Sequence, residues 1–184
     1  MERVDSLIHA RWVIPVEPEG AVLERHGVAV RDGRIVAIAP SAELQARYSA
    51  AEERHLGEHA LIPGLINAHT HSAMTLLRGM ADDLPLMTWL TEHIWPAEQR
   101  WVGEAFVRDG STLAMAEMLL GGVTCFNDMY FFPEATAAAA REAGMRAVLG
   151  MIVIDFPSAY ASGPEAYLEK GLAFQEAYGG VALI

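Results

Sequence analysis

Along positions 1–60 the apolar residues come in short runs separated by turn formers. Val4 to His9 and Trp12 to Val16 read as short strands. Val28-Ala29-Val30-Arg31 and Arg34-Ile35-Val36-Ala37-Ile38 flank Asp32-Gly33, a pair suited to the tight turn of a β-hairpin. Ser41 has the character of an N-cap and predicts a short helix through Tyr48. This region reads as a scaffold without a catalytic cluster, and its histidines (His9, His26, His55 and His59) follow no convergent pattern.

The pattern changes after Ala60. Residues 61–67 predict a strand that is apolar on both faces, as buried parallel strands are. A loop and a short helix follow around Pro85 to His93, with Asp82 and Asp83 placed to cap that helix. Glu104 to Leu120 carries a helical period and stops at Gly121-Gly122. Val123 to Asn127 is a second strand. Pro133 opens an alanine-rich helix through Ala143, stopped by Gly144. Arg146 to Ile154 is a third strand, Gly163-Pro164 opens a helix to about Tyr178, and Val181 to Ile184 begins a fourth strand. Strand and helix thus alternate at the spacing of βα units, which predicts a parallel α/β architecture. A doubly wound sheet is the alternative, weakened because the Gly-x-Gly-x-x-Gly fingerprint is absent.

Composition narrows the partners. The 184 residues are 52% hydrophobic and 20% charged, a core-forming balance. A net charge of −11 without basic runs argues against nucleic acid or an anionic membrane as partner. The single cysteine, Cys125, excludes an intrachain disulfide and reads as a structural thiol in an apolar strand. No signal-peptide core and no apolar run of bilayer length occur, so the expectation is a cytoplasmic protein.

The chemistry concentrates where the first βα strand ends. His69 and His71 are spaced i, i+2, so on an extended strand both imidazoles project to one face and can supply two ligands of a metal site. Alone, His-x-His would also suit nickel or iron, or two solvated side chains. Asn127, Asp128 and Asp155 fall near the carboxyl ends of the next strands, the active-site side of a β/α barrel. Asp128 suits either a turn or the support of a ligand histidine. Trp89 suits a pocket wall or a core position, and His93 has no evident partner and predicts solvent exposure.

Pro63-Gly64-Leu65-Ile66-Asn67-Ala68-His69-Thr70-His71 after a small β region resembles the amidohydrolase superfamily. Leu77 to Leu90, Trp95-Pro96-Ala97-Glu98 and Gly122 to Tyr130 are similar to its adenosine-type aminohydrolases, in particular 5′-methylthioadenosine / S-adenosylhomocysteine deaminases, with triazine hydrolases and guanine-type deaminases as further near relatives. The resemblance covers nearly the whole chain. It implies the first half of a (β/α)8 TIM-type barrel, three to four βα units over 61–184, preceded at 1–60 by part of a composite β-sandwich. It further implies Zn2+, one divalent metal per active site, with His69 and His71 as ligands and Glu98 binding the substrate's ribose hydroxyls. The implied reaction is hydrolytic deamination of an adenine nucleoside to the inosine analogue and ammonia.

Two departures qualify the resemblance. A barrel of this type takes about 250 residues, so the other metal ligands and the proton shuttle would lie beyond Ile184, and no catalytic residue is carried over to this chain. The family members that act on S-adenosylhomocysteine commonly place an arginine where Met151 stands, and a thioether cannot pair with a carboxylate, which tilts the expectation to 5′-methylthioadenosine. The expected partner is a small-molecule nucleoside, with no nucleic acid and no membrane; a homo-oligomer stays open. The competing readings are hydrolysis of a triazine or guanine-like ring, or, if 184 residues are the whole product, a non-catalytic half-barrel or one piece of a two-chain enzyme; the end at Val181 to Ile184 inside an apolar strand favours truncation over a natural C-terminus.

Overall fold

The computed structural model describes every residue except Ala182. It divides into two compact units, Met1–Pro63 and Gly64–Ile184.

The first unit is a five-stranded sheet built around one long strand. β1 (Glu2–Val13) merges the two short strands predicted over 4–16. It pairs antiparallel with β2 (Leu23–Glu24) and with β3 (His26–Arg31), and β3 continues into β4 (Arg34–Pro40) through the Asp32-Gly33 hairpin. Asp32 and Gly33 both take positive φ (51° and 69°), the conformation that a two-residue primed turn requires. α1 (Ser41–Arg47) follows, with Pro40 and not Ser41 at the N-cap and without a side-chain cap. The other edge of β1 carries β5 (Tyr48–Leu61) in parallel, a strand absent from the sequence reading because its run of Glu52, Glu53, Arg54 and His55 shows no apolar alternation. Val4, Leu7, Ala29, Leu44 and Tyr48 form the core between sheet and helix. Burying Leu7 and Leu44, each 1% exposed, contributes about 1.5–3 kcal/mol apiece.

The second unit is a three-stranded parallel sheet in the order β6 (Leu65–Thr70), β7 (Val123–Met129), β8 (Arg146–Gly150). Its first strand begins at Leu65 and not at Leu61, because Pro63 cannot donate to a ladder and Gly64 packs closely against the side chain of Thr124. After β6 a 3-10 turn (Ser72–Leu77) leads to α2 (Leu86–Thr88), which runs through a π-helical stretch (Trp89–Ile94) into α3 (Trp95–Trp101). Asp82 and Asp83 do not cap this helix. Pro85 occupies its N-cap, and Asp83 sits in a left-handed turn at φ 62°. His93 is half-buried.

α4 (Glu104–Leu120) and α5 (Pro133–Ala143) lie between successive strands. α4 buries Val107, Gly110, Ser111, Ala114 and Met115, the i, i+3, i+4, i+7 face of one helix. Gly144 ends α5 in the left-handed conformation at φ 67°. Met115, Phe126, Ala139, Ala140, Met145 and Ala147 form the core between these helices and the sheet.

Within positions 64–184 the strands are covered on one face. β7 alternates, with Phe126 and Asp128 buried and Asn127 and Met129 exposed, while Leu65 and Ile66 are 51% and 71% exposed. Helices cover one face of this sheet, and the described residues supply no layer for the other. The third strand stops at Gly150, so Met151 and Asp155 follow it. α6 (Pro164–Tyr178) comes next. The expected strand at 181–184 falls partly on Ala182, outside the described residues; Val181, Leu183 and Ile184 are not in a strand, although the Ala147 amide donates to the Leu183 carbonyl at 2.8 Å. No described helix is long and apolar enough to cross a membrane.

Candidate active site

β6 carries His69 near its carboxyl end, and His71 stands just past it, where the chain turns at φ −123°, ψ 71°. The two rings come together at 5.1 Å between centroids, nearly perpendicular at 77°. His71 Nδ1 lies 2.7 Å from the Met129 carbonyl at the end of β7. A carbonyl only accepts, so Nδ1 is the donor in this bond and Nε2 is the nitrogen left for a metal. That is how a metal-binding imidazole is usually oriented, by a hydrogen bond at its other nitrogen.

Asp128 fixes the turn around this pair without touching either ring. It is 3% exposed. Its Oδ1 accepts from the Thr70 hydroxyl at 2.7 Å and from the Ser72 amide at 2.6 Å, the two residues flanking His71. Asn127 Nδ2 donates to the Ala68 carbonyl at 3.1 Å. Behind the turn, Ser72, Ser111 and Thr136 join their hydroxyls at 2.9 and 3.3 Å in a buried layer. Gly110 of α4 allows the close approach, since a Cβ there would run into the backbone of Ala73.

Glu98 comes from α3. It shares with His71 a cavity of about 640 Å3 whose other walls are largely apolar, including Met74, Trp89, Trp95, Tyr130, Met151 and Phe156. Tyr130 Oη donates to Glu98 Oε1 at 2.6 Å. Burial raises the Glu98 pKa above the usual carboxylate range, opposed by the Tyr130 hydroxyl and by nearby His71. Burial, reinforced by the Glu98 carboxylate, also raises the Tyr130 pKa far out of the physiological range, so the phenol stays a donor. One oxygen of Glu98 is thereby held, and the carboxylate retains acceptor capacity for a ligand.

His71 and Glu98, 27 positions apart in the sequence, thus line one cavity, with His69 against His71. Trp89 lines the cavity as well, its Nε1 3.4 Å from the Met80 carbonyl. Tyr130, Met74, Trp95 and Phe156 went unsingled in the sequence. The position of Tyr130, two residues past Asp128 at a strand end, was the available signal. The donor chemistry fits a divalent transition metal at the histidine pair: two imidazoles, one of them held at its other nitrogen by a backbone carbonyl.

Comparison with known proteins agrees with this layout. Residues 60–181 match the amidohydrolase family, and residues 27–48 match the imidazolonepropionase-like composite domain of bacteria. A 5-methylthioadenosine/S-adenosylhomocysteine deaminase of Saccharophagus degradans is 53% identical over 98% of this chain, and one of Teredinibacter turnerae is 49% identical over 98%. The chain spans about 40% of the length of these curated relatives. The crystal structure of an adenosine deaminase from Xanthomonas campestris with bound zinc superposes with a TM-score of 0.96 at 49% identity, over all of this chain and 42% of that one. A zinc-complexed atrazine chlorohydrolase from Arthrobacter aurescens, at 21% identity, superposes with a TM-score of 0.80 over 94% of this chain and 43% of its own, a likeness of fold alone. By the extent of the family match and by the strand-end histidines that begin it, the chain belongs to the amidohydrolase family.

Proposed function

We propose that the whole protein is a zinc-dependent aminohydrolase that deaminates an adenine nucleoside, 5′-methylthioadenosine in preference to S-adenosylhomocysteine. The observation that carries this reading is the one cavity that places the half-buried Glu98 carboxylate beside His71 between apolar walls. His69 and His71 would hold the ion. Zinc, when bound, supplies a nucleophile from water at neutral pH.

The chain's own residues do the binding. Glu98, steadied by Tyr130, accepts from the ribose cis-diol and fixes the nucleoside relative to the histidines. Trp89, Trp95 and Phe156 give the base and sugar an apolar, water-poor lining. Met151 is a soft apolar neighbour suited to a methylthio tail and offers no charge to an amino-acid carboxylate. The account places the proton shuttle and the other metal ligands outside positions 1–184, and with them the remaining strands of a (β/α)8 barrel, which would cover the open face of the β6–β8 sheet. A cytoplasmic location, a nucleoside as partner and the absence of nucleic-acid and membrane partners belong to the same proposal. The relatives named as deaminases of both nucleosides support the substrate class.

Glu98→Gln in the full-length protein tests the role of the carboxylate. Gln keeps the acceptor for Tyr130 but loses the charge. The KM for 5′-methylthioadenosine should rise about tenfold or more, the worth of one charge-assisted hydrogen bond. An unchanged KM would contradict the assignment.

A further inference from the structure

The N-terminal unit brings together a second set of ligand-type side chains. His9 of β1 is the register partner of His55 in the parallel strand β5. Glu53 lies two positions before His55, so its side chain projects to the same face of β5. Glu53 Oε1 stands 3.2 Å from His9 Nε2 and 3.0 Å from His55 Nε2, and the two imidazoles stack at 4.8 Å with 14° between planes. All three residues offer ligand atoms within 4.8 Å of one another.

Simple ion pairing does not account for His9. Its side chain is 5% exposed, yet neither ring nitrogen has a hydrogen-bond partner among the described residues; Nε2 is near Glu53 but out of line for an N–H···O bond. Leaving a buried polar ring without partners is costly, and such groups call for an explanation. Nδ1 faces Gly27, where a Cβ would come within 3.0 Å of it, so Nε2 is the nitrogen aimed at Glu53 and His55. The 3.0 and 3.2 Å separations of Glu53 Oε1 from the two imidazoles are close to the edge of a tetrahedron with ~2.0 Å bonds, about 3.3 Å, and the third separation lies within 4.8 Å. Gln45 Nε2 donates to Glu53 Oε1 at 3.0 Å and holds the carboxylate in place. The cluster opens onto a cleft of about 520 Å3, which leaves room for water in further coordination positions.

We propose that His9, Glu53 and His55 form a second divalent metal site, of the Zn2+ class, within the N-terminal unit and independent of the His69–His71 pair. Two imidazoles and one carboxylate select a borderline transition ion over Mg2+ or Ca2+, which take oxygen ligands. A bound ion would give His9 Nε2 its missing partner and tie β1 to β5.

The test uses the full-length protein, stripped with a chelator and reloaded with Co2+, whose visible absorption reports tetrahedral coordination. His69→Ala/His71→Ala should still bind one Co2+ per chain with that absorption, and adding His55→Ala should remove it. His55 is largely exposed, so this variant folds even if His9→Gln does not. Zn2+ should raise the melting temperature of His69→Ala/His71→Ala but not of the triple variant. The proposal is overturned if His69→Ala/His71→Ala binds no Co2+, or if His55→Ala leaves its Co2+ content and its Zn2+-dependent melting unchanged. Neither outcome bears on the nucleoside reading, which rests on residues of the other unit.

Discussion

Each unit of the chain holds a close pair of histidine rings, and the two pairs are built in different ways. His69 and His71 come from one strand end, two residues apart, with perpendicular rings. His9 and His55 come from two strands that are 46 positions apart, meet through a parallel ladder and stack nearly flat. The first pair is oriented from below by hydrogen bonds: Met129 on the His71 ring, Asp128 on the turn. The second is oriented by backbone register and by packing against Gly27. A site can therefore be held by polar supports or by strand pairing, and the two should fail under different substitutions.

The largest effect is expected from Asp128→Ala. It orphans the buried Ser72 amide, while the half-buried Thr70 hydroxyl keeps the Asn127 carbonyl as its acceptor, and should cost up to about 3 kcal/mol, read from the denaturation midpoint. Metal affinity at His69 and His71 should fall about 10–100-fold, the usual cost of losing an outer support, while Co2+ uptake at His9 and His55 should not change.

The two glycines give matched probes. Gly110→Ala drives a methyl into the Ala73 backbone, and Gly27→Ala places one 2.6 Å from the Ile8 carbonyl and 3.0 Å from His9 Nδ1. Each should destabilise by about 1–3 kcal/mol through overpacking. Gly110→Ala should disturb metal uptake at His69 and His71 only, and Gly27→Ala at His9 and His55 only, as measured on the full-length protein. Equal loss at both sites in either variant would erase the distinction between polar support and strand pairing.

Glu98 adds a test of pH. Its raised pKa means that the folded chain holds this proton more tightly than the unfolded chain. Its contribution to stability is therefore present below the ordinary carboxylate range and lost as pH rises through the raised value. Glu98→Gln should melt above the wild type at pH 7 and converge with it below about pH 4, where both side chains are neutral. The same variant that weakens nucleoside binding thus gains stability, a signature a merely structural carboxylate would not give.

The smallest effect is expected at Arg108–Glu142, an exposed pair joining α4 to α5 at 2.7 Å. Arg108→Ala should cost about 0.5 kcal/mol or less and leave both histidine sites intact.

The same contrast explains what could be read in advance. α4, α5 and α6 were legible because glycines close them and prolines open two of them, all local signals. His69, His71 and Glu98 were legible through short motifs. β5 was not, since its polar face gives no alternation and its order comes from pairing with β1. The convergence of His9 with Glu53 and His55 depends on that parallel register, which no local pattern announces. Leu65, Ile66 and Val148 are apolar as in a doubly covered sheet, and the helices within positions 64–184 cover one of its faces.

The most direct test of the functional reading is product release by the full-length, zinc-loaded protein, read as ammonia from 5′-methylthioadenosine and from adenine without its ribose, and as chloride from a chlorotriazine, in parallel. The account expects one ammonia per nucleoside consumed, with adenine turned over far more slowly for want of the diol that Glu98 holds. Turnover of the triazine or of free adenine, with the nucleoside left intact, would contradict it.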